Sequence, residues 1–212
     1  MGIILKRNIS ESAIVGLWEI NETVDELFSN VRLNDEENEL YKGFCTDLRK
    51  QHWLSYRNLL RELITPEEYS HVNYDEVGKP YLQFKSHHLS VSHAGKFSAA
   101  IINKNSLVGI DIEKVHPKIH KIVHKFLSEA EMKNISPAND IDSLYVCWGA
   151  KEALYKLYGK KNLLFIENIL LDPFVYNGAG DITGTISTND FTQKFNLHYE
   201  KTGDYMLVFT LD

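Results

Sequence analysis

The 212-residue sequence has little cysteine, little proline and no long apolar run. Its two cysteines, Cys45 and Cys147, are too few for a disulfide framework, which predicts a reducing, cytoplasmic location. No apolar run approaches the roughly 20 residues of a membrane-spanning helix, and the N-terminus lacks the layout of a signal peptide. Five prolines and the lack of low-complexity stretches are typical of a globular chain.

Positive charge is also in deficit. The chain has 23 Lys and Arg residues against 29 Asp and Glu residues, a net charge of −6. Nucleic acids and anionic membrane surfaces need basic partners, so this balance argues against both. The nine histidines show no zinc-binding spacing, and no G-x-S-x-G sequence indicates a serine hydrolase.

Apolar periodicity predicts helices and short strands in both halves of the chain. The predicted strands are 13–20, 81–84, 88–93, 97–103, 107–113, 191–199 and 205–211. The predicted helices lie within 23–31, 35–64, a short segment from Thr65, 117–127, 128–135 and 141–158. We therefore predict an α+β fold of two similar halves, 1–105 and 106–212. Each half is expected to pack a small, mostly antiparallel sheet against helices.

One group of candidate functional residues lies on the strand predicted over 107–113. Side chains alternate along a strand, so the apolar residues face a core while Gly109, Asp111 and Glu113 share the other face. Paired carboxylates beside a glycine are suitable oxygen ligands for Mg²⁺. The same pattern is also typical of a solvated acidic strand end, and the strand alone leaves both interpretations open.

A second group lies on the helix predicted over 141–158. Trp148, Glu152 and Lys156 are four residues apart and share one edge, where Glu152 could complete a metal site of three carboxylates. Lys151 falls inside an apolar stripe, where a lysine is costly unless it meets an anion or reaches water. An ordinary Glu–Lys helix pair is the alternative interpretation of Glu152 and Lys156.

A third group surrounds the predicted strand 88–93. Ser92 and His93 end that strand, and Lys79 and Pro80 precede the strand before it. A hydroxyl, an imidazole and an ammonium group are suitable for binding an anion. The alternative is a polar strand end above a hairpin turn.

A basic face is predicted on the segment 117–127, where Lys118, Lys121 and Lys125 lie opposite an apolar face. In an acidic protein this is a local positive patch. It is typical either of a solvated face or of a docking surface for an acidic partner.

In their order along the chain, these groups resemble the motifs of the 4′-phosphopantetheinyl transferase superfamily. The resemblance rests on four segments, which are Gly78 to Pro80, Ser90 to His93, Gly109 to Glu113 and Trp148 to Lys156. The chain length is similar to that of the surfactin-synthetase-type branch, a pseudo-dimer of two similar halves. Gly149 departs from the serine or threonine that is common there, and we expect little consequence.

The resemblance implies an Mg²⁺-dependent transfer of 4′-phosphopantetheine from coenzyme A to a serine of an apo carrier protein, with release of adenosine 3′,5′-bisphosphate. It implies that Asp111, Glu113 and Glu152 hold the metal and that Lys156 and Lys151 neutralise phosphate charge. Glu152, or a metal-bound water, would take the proton of the attacking serine. Glu152 and Lys156 are therefore the predicted catalytic residues.

The resemblance also implies the residues that bind coenzyme A in the N-terminal half. His93 and Ser92 would contact the 3′-phosphate, and Lys79 and Pro80 would lie near the adenine. Arg57, or alternatively Arg49, resembles an arginine of the family's N-terminal segment, and both are carried as candidates. Carrier proteins in such systems are generally acidic, so Lys118, Lys121 and Lys125 are the predicted docking face.

Two other functions use the same residues. An Mg²⁺-dependent hydrolase of nucleotide pyrophosphates would use water in place of the carrier serine, and a non-catalytic module would only bind coenzyme A or a carrier protein. A pseudo-dimer needs no partner subunit, so we expect a monomer. The sequence leaves open the carrier protein, the tolerance for acyl-coenzyme A, and the choice between Mg²⁺ and Mn²⁺.

Overall fold

The structure, a computed structural model, describes residues 2–134, 140–160 and 162–211. The chain divides into two compact units, Met1–Leu107 and Val108–Asp212. Within the described residues, no helix combines the length and the apolar character needed to cross a lipid bilayer.

The N-terminal unit is built on an antiparallel sheet with the strand order β1-β2-β6-β5 and a separate β3–β4 hairpin. Its strands are β1 (Ile3–Asn8), β2 (Ala13–Glu19), β3 (Val72–Tyr74), β4 (Pro80–Leu82), β5 (His88–Ala94) and β6 (Phe97–Asn103). Its helices are α1 (Val24–Ser29), α2 (Asp35–Lys42) and α3 (Asp47–Leu63).

Helix α3 covers one face of this sheet and contacts β2 and β6. The helix begins where the side chain of Thr46 accepts a hydrogen bond from the amide of Arg49, which satisfies one amide of the first turn. Its buried face carries Trp53, Leu59 and Leu60, which join the core of this unit. The apolar spacing of the helix therefore fixes which side chains remain on its outer edge.

The C-terminal unit is built on an antiparallel sheet with the strand order β7-β11-β10-β9-β8. Its strands are β7 (Ile110–Lys114), β8 (Ile169–Leu171), β9 (Ala179–Ser187), β10 (Thr192–Thr202) and β11 (Tyr205–Thr210). Its helices are α4 (Glu129–Asn134), α5 (Ile141–Tyr158) and α6 (Phe165–Asn168).

Helix α5 packs on β7 and β11 and supplies much of the core of this unit. Asp140 caps its first turn, and Gly159 ends it in the left-handed conformation with φ 67°, which glycine adopts without a steric penalty. Small antiparallel sheets packed against helices confirm the predicted α+β class.

Two helix predictions are wrong. Residues 66–68 form a single turn, in which the amides of Glu68 and Tyr69 both bond to the carbonyl of Thr65, because the chain then enters β3. The segment predicted as a helix over 117–127 forms two 3₁₀ turns, Pro117–Lys121 and Val123–Lys125, since Ile122 leaves helical geometry with φ −116°. Helix α4 occupies most of the predicted segment 128–135, of which residue 135 lies outside the described residues.

Candidate active site

Strand β7 and helix α5 approach each other closely beside Gly109. A Cβ atom at this position would collide with the backbone carbonyl of Ala153 on α5, so only glycine allows the contact. The approach brings the acidic face of β7 against the middle of α5. The sequence-based assignment of Asp111 and Glu113 to one face is consistent with this strand, in which the intervening Ile110 and Ile112 are buried in the core.

Asp111 and Lys156 form the central contact of this site. The Lys156 Nζ atom donates to Asp111 Oδ1 over 2.7 Å and to the carbonyl of Ile110 over 3.1 Å. The Asp111 side chain is 5% exposed, whereas that of Lys156 is 28% exposed. A buried carboxylate is therefore paired with an amine that still reaches the surface.

Glu113 is held by the indole ring of Trp148. The Trp148 Nε1–H group donates to Glu113 Oε1 over 3.3 Å, and the indole packs against Phe126 and Phe165. Burial, followed by the negative charge of Asp111, raises the pKa of Glu113. Trp148 thus links the aromatic core of this unit to one of the predicted metal ligands.

Glu152 is the third carboxylate of the group. Burial, followed by the negative charges of Asp111 and Glu113, raises its pKa to about 7 against the opposing effect of Lys156. Carboxylates influence one another in this way only when they lie close together. The structure therefore brings Asp111, Glu113, Glu152 and Lys156 into one region of the C-terminal unit.

The donor chemistry of this region fits a divalent cation, because it contains three carboxylates and the negative charge of Asp111 raises the pKa of both Glu113 and Glu152, an effect that added positive charge would relieve. Their present positions do not form a finished site. Among residues 2–134, 140–160 and 162–211, no cluster of three or more His, Cys, Asp or Glu side chains is close enough to hold a metal ion. In this arrangement the Lys156 amine lies against Asp111.

Lys151 has a different environment from Lys156. Its side chain is fully buried, and its Nζ atom lies 2.8 Å from Glu131 Oε1. It also donates to the carbonyls of Phe165 over 2.9 Å and Ile169 over 2.6 Å. The anion that compensates the charge of Lys151 in this apolar stripe is therefore the carboxylate of Glu131. This geometry gives no support to the predicted contact between Lys151 and coenzyme A.

In the N-terminal unit, the structure brings one predicted arginine to the predicted anion site. The Arg49 Nη1 atom lies 3.0 Å from His93 Nε2. A guanidinium group only donates, so His93 Nε2 is the acceptor in this contact. Ser92, the neighbour of His93 on β5, is buried and faces away from this surface in the alternation of the strand.

Lys79 and Pro80 lie where the chain enters β4, which packs against β5. The turn before them is closed by Asp75, whose carboxylate accepts from the amides of Val77 and Lys79. Gly78 completes the turn with φ 85°, a conformation that favours glycine. Burial lowers the pKa of Lys79, and Asp75 opposes this effect.

Arg57 lies inside the N-terminal core. Its side chain is 1% exposed, it pairs with Glu37 Oε1 over 3.1 Å, and its guanidinium group lies 3.3 Å from the centre of the Trp53 ring. Tyr56 also accepts a hydrogen bond from it. Of the two candidate arginines, only Arg49 is exposed and adjacent to His93.

The predicted docking lysines remain on the surface. Lys118, Lys121 and Lys125 are exposed on the 3₁₀ turns that follow β7, and Ile119 turns inward beneath them. The basic face is thus present even though the helix predicted to carry it is not.

Sequence reasoning missed Glu131 and His52. Glu131 has a detectable signal, because Ser128 and Glu131 form a capping-box pattern in which each accepts from the amide of the other. His52 has none, because its contacts are with residues far away along the chain.

Comparison with known protein families gives a match to part of the chain. Residues 107–208 match the family model of the 4′-phosphopantetheinyl transferase superfamily. This range includes β7, both of the basic 3₁₀ turns and all of α5. This part of the chain is therefore similar to that superfamily.

Individual relatives extend the similarity. The chain is 33% identical over 89 residues to a 4′-phosphopantetheinyl transferase of Bacillus subtilis, covering 40% of this chain and 39% of the relative. It is 29% identical over 131 residues to the transferase gsp of Aneurinibacillus migulanus, covering 56% and 54%. It is 25% identical over 149 residues to the transferase Sfp of Bacillus subtilis strain 168, covering 60% and 66%.

The matches span 39%, 54% and 66% of the lengths of these three relatives. The family match and these relatives show that the chain is similar to the 4′-phosphopantetheinyl transferase superfamily, and the relatives gsp and Sfp are among the proteins it resembles.

Proposed function

We propose that this protein transfers the 4′-phosphopantetheine group of coenzyme A to a serine hydroxyl of an apo acyl or peptidyl carrier protein. The serine Oγ atom forms a bond to the pantetheine-side phosphorus, and the bond from that phosphorus to the bridging oxygen breaks. That oxygen leaves with adenosine 3′,5′-bisphosphate. The hydroxyl proton passes to a base, for which we propose Glu152.

The observation that carries the proposal is the grouping of Asp111, Glu113, Glu152 and Lys156 where β7 meets α5. A pyrophosphate group has closely spaced negative charges, and its cleavage requires that these charges be stabilised. The family model of the 4′-phosphopantetheinyl transferase superfamily matches this part of the chain.

We propose that Asp111, Glu113 and Glu152 hold Mg²⁺. The ion would supply positive charge to the pyrophosphate. Lys156, now paired with Asp111, would then be available to a phosphate oxygen, and Trp148 would keep Glu113 oriented. Glu152 would also accept the serine proton, and a bound Mg²⁺ would bring its pKa down from the value of about 7 that it has without a cation.

The N-terminal half, residues 1–105, is proposed to bind the adenosine end of coenzyme A. Arg49 and His93 lie together at the surface and would bind the 3′-phosphate. Lys79 and Pro80 would lie near the adenine. Residues 106–212 are proposed to hold the metal, the pyrophosphate and the carrier protein.

The carrier protein is proposed to dock on Lys118, Lys121 and Lys125, since three exposed cations close to β7 suit an acidic partner. We also propose that the protein acts as a cytoplasmic monomer. The proposed location rests on the two cysteines of the sequence, Cys45 and Cys147, which are too few for a disulfide framework.

The test incubates the protein with coenzyme A, Mg²⁺ and a panel of apo carrier proteins, followed by intact-mass spectrometry. We expect one carrier to gain a single phosphopantetheine group and EDTA to prevent the gain. Release of adenosine 3′,5′-bisphosphate without any carrier would instead indicate a pyrophosphate hydrolase. Binding of coenzyme A without either product would indicate a non-catalytic module.

A further inference from the structure

A second histidine packs against the ring of His93. His52 lies on α3 and is only 7% exposed. Its ring stacks on the ring of His93 with the centroids 4.3 Å apart and the planes 15° from parallel. None of the sequence motifs includes this residue.

A backbone contact fixes the orientation of the His52 ring. Its Nε2 atom lies 2.7 Å from the carbonyl oxygen of Gly95. A carbonyl oxygen only accepts, so His52 Nε2 carries the proton and donates it. Gly95 lies in the β5–β6 turn with φ 52°, a conformation that favours glycine. His52 therefore connects α3 to the turn that immediately follows His93.

Helix α3 also carries Arg49, three residues before His52. Residues three apart lie on the same side of a helix. Arg49 approaches His93 at Nε2, while His52 covers a face of the same ring. Two residues of α3 therefore contact the ring of His93, Arg49 at its edge and His52 on its face.

We propose that His52 is a positioning residue, which sets the ring of His93 so that the protein distinguishes nucleotides with a 3′-phosphate from nucleotides without one. This inference rests on the proposed function, because it assigns the 3′-phosphate of coenzyme A to Arg49 and His93. His52 does not touch the phosphate itself. It acts by restricting the rotation and tilt of His93, and a hydrogen bond to a phosphate oxygen is sensitive to both.

Two variants separate the two contacts of His52. His52→Gln keeps an N–H donor for Gly95 but loses the aromatic stack. His52→Phe keeps a ring against His93 but loses the donor. Ser55→Ala is the matched control, because Ser55 is buried one turn later on α3 and its hydroxyl bonds to Ser98 on β6 over 2.7 Å.

The measurement is isothermal titration calorimetry with adenosine 3′,5′-bisphosphate and with adenosine 5′-monophosphate, which differ only in the 3′-phosphate. We expect the wild-type protein to bind the bisphosphate more tightly. His52→Gln should reduce the ratio of the two affinities about tenfold, and His52→Phe should keep most of it. Binding of the monophosphate should change little in any variant.

The same comparison applies to turnover with coenzyme A and 3′-dephospho-coenzyme A. His52→Gln should raise KM for coenzyme A and leave kcat/KM for the dephospho form unchanged. An unchanged affinity ratio in His52→Gln would overturn the inference. So would an equal loss of the ratio in Ser55→Ala, because the effect would then follow from general destabilisation of α3.

These outcomes also separate the inference from the proposed function. If the wild-type protein modifies a carrier while His52→Gln keeps its affinity ratio, only the inference fails. If the wild-type protein distinguishes the two nucleotides through His52 but modifies no carrier, the proposed function fails and the positioning role stands.

Discussion

At the scale of single residues, Glu152 has an environment that changes its chemistry. Glu152 lies on α5, but the two carboxylates that raise its pKa, Asp111 and Glu113, lie on β7. The raised pKa leaves a fraction of Glu152 protonated at neutral pH until a cation or a substrate enters. Substitution of Glu152 therefore tests both the turnover of the protein and the pH dependence of its free energy of unfolding.

Replacing Glu152 by glutamine keeps the size of the side chain and removes its ability to take a proton. We expect Glu152→Gln to lower turnover at least about 100-fold while coenzyme A binding is largely retained. Intact-mass kinetics and calorimetry measure the two effects. Glu167→Gln, an exposed change on α6, is the matched control. Loss of coenzyme A affinity in Glu152→Gln would point to a ligand role alone.

The raised pKa of Glu152 also predicts how stability depends on pH in the metal-free protein. Between its ordinary value of 4.5 and about 7, the folded protein binds more protons at this site than the unfolded chain. The free energy of unfolding must then fall as pH rises through this window, by about 1–3 kcal/mol from this group.

Urea denaturation in EDTA at pH 4.5 and pH 8 measures this dependence. Glu152→Gln should remove about that amount from the difference between the two pH values. A difference as large in Glu152→Gln as in the wild-type protein would contradict the pKa shift.

At the scale of elements, a buried ion pair connects α5 to its neighbours. Lys151 on α5 joins Glu131 on α4, and Glu131 in turn accepts from the amide of Leu171 on β8 over 3.1 Å. Because α5 also carries Glu152 and Lys156, this pair helps to set the position of the candidate site. It also explains why the sequence has a lysine in an apolar stripe.

Removal of one partner of this pair should be costly. Lys151→Met leaves the Glu131 carboxylate buried without its cation, and we expect a loss of about 3–5 kcal/mol in the free energy of unfolding. The double variant Lys151→Met with Glu131→Gln should recover part of that loss. Lys194→Met is the control, because Lys194 and its partner Asp172 are 65% and 51% exposed. Urea denaturation measures all three, and equal small losses would exclude a structural role for Lys151.

At the scale of the whole molecule, charge is unevenly distributed. The chain is acidic overall, yet Lys118, Lys121 and Lys125 are exposed together. Long-range attraction depends on local charge as well as on net charge, so an acidic carrier protein can be steered to this face.

Charge reversal tests the docking face. Lys121→Glu with Lys125→Glu should raise KM for the carrier protein several-fold, leave KM for coenzyme A unchanged, and make the carrier KM less sensitive to salt. Lys42→Glu with Lys194→Glu changes the net charge equally at exposed sites elsewhere. An unchanged carrier KM in the first pair, or an equal rise in both pairs, would remove these lysines from the docking surface.

The sequence predicted the elements with strong local signals. The capping box of Thr23 and Glu26, the strands of the β5–β6 hairpin and the end of α5 at Gly159 depend on residues close together in the chain. It did not predict β1 or β9, because β1 alternates poorly and β9 is rich in glycine and threonine. Both strands depend on pairing with a neighbouring strand.

By itself, the sequence determined the residue types of the candidate site, their order, and the elements that carry Asp111, Glu113, Glu152 and Lys156. Only the tertiary structure decided which basic side chains remain near the surface. Arg49 and Lys156 do, whereas Arg57 and Lys151 are enclosed by Glu37 and Glu131. Sequence spacing gives the face of a helix, but the charge that a buried cation meets comes from another element, and folding alone brings the two together.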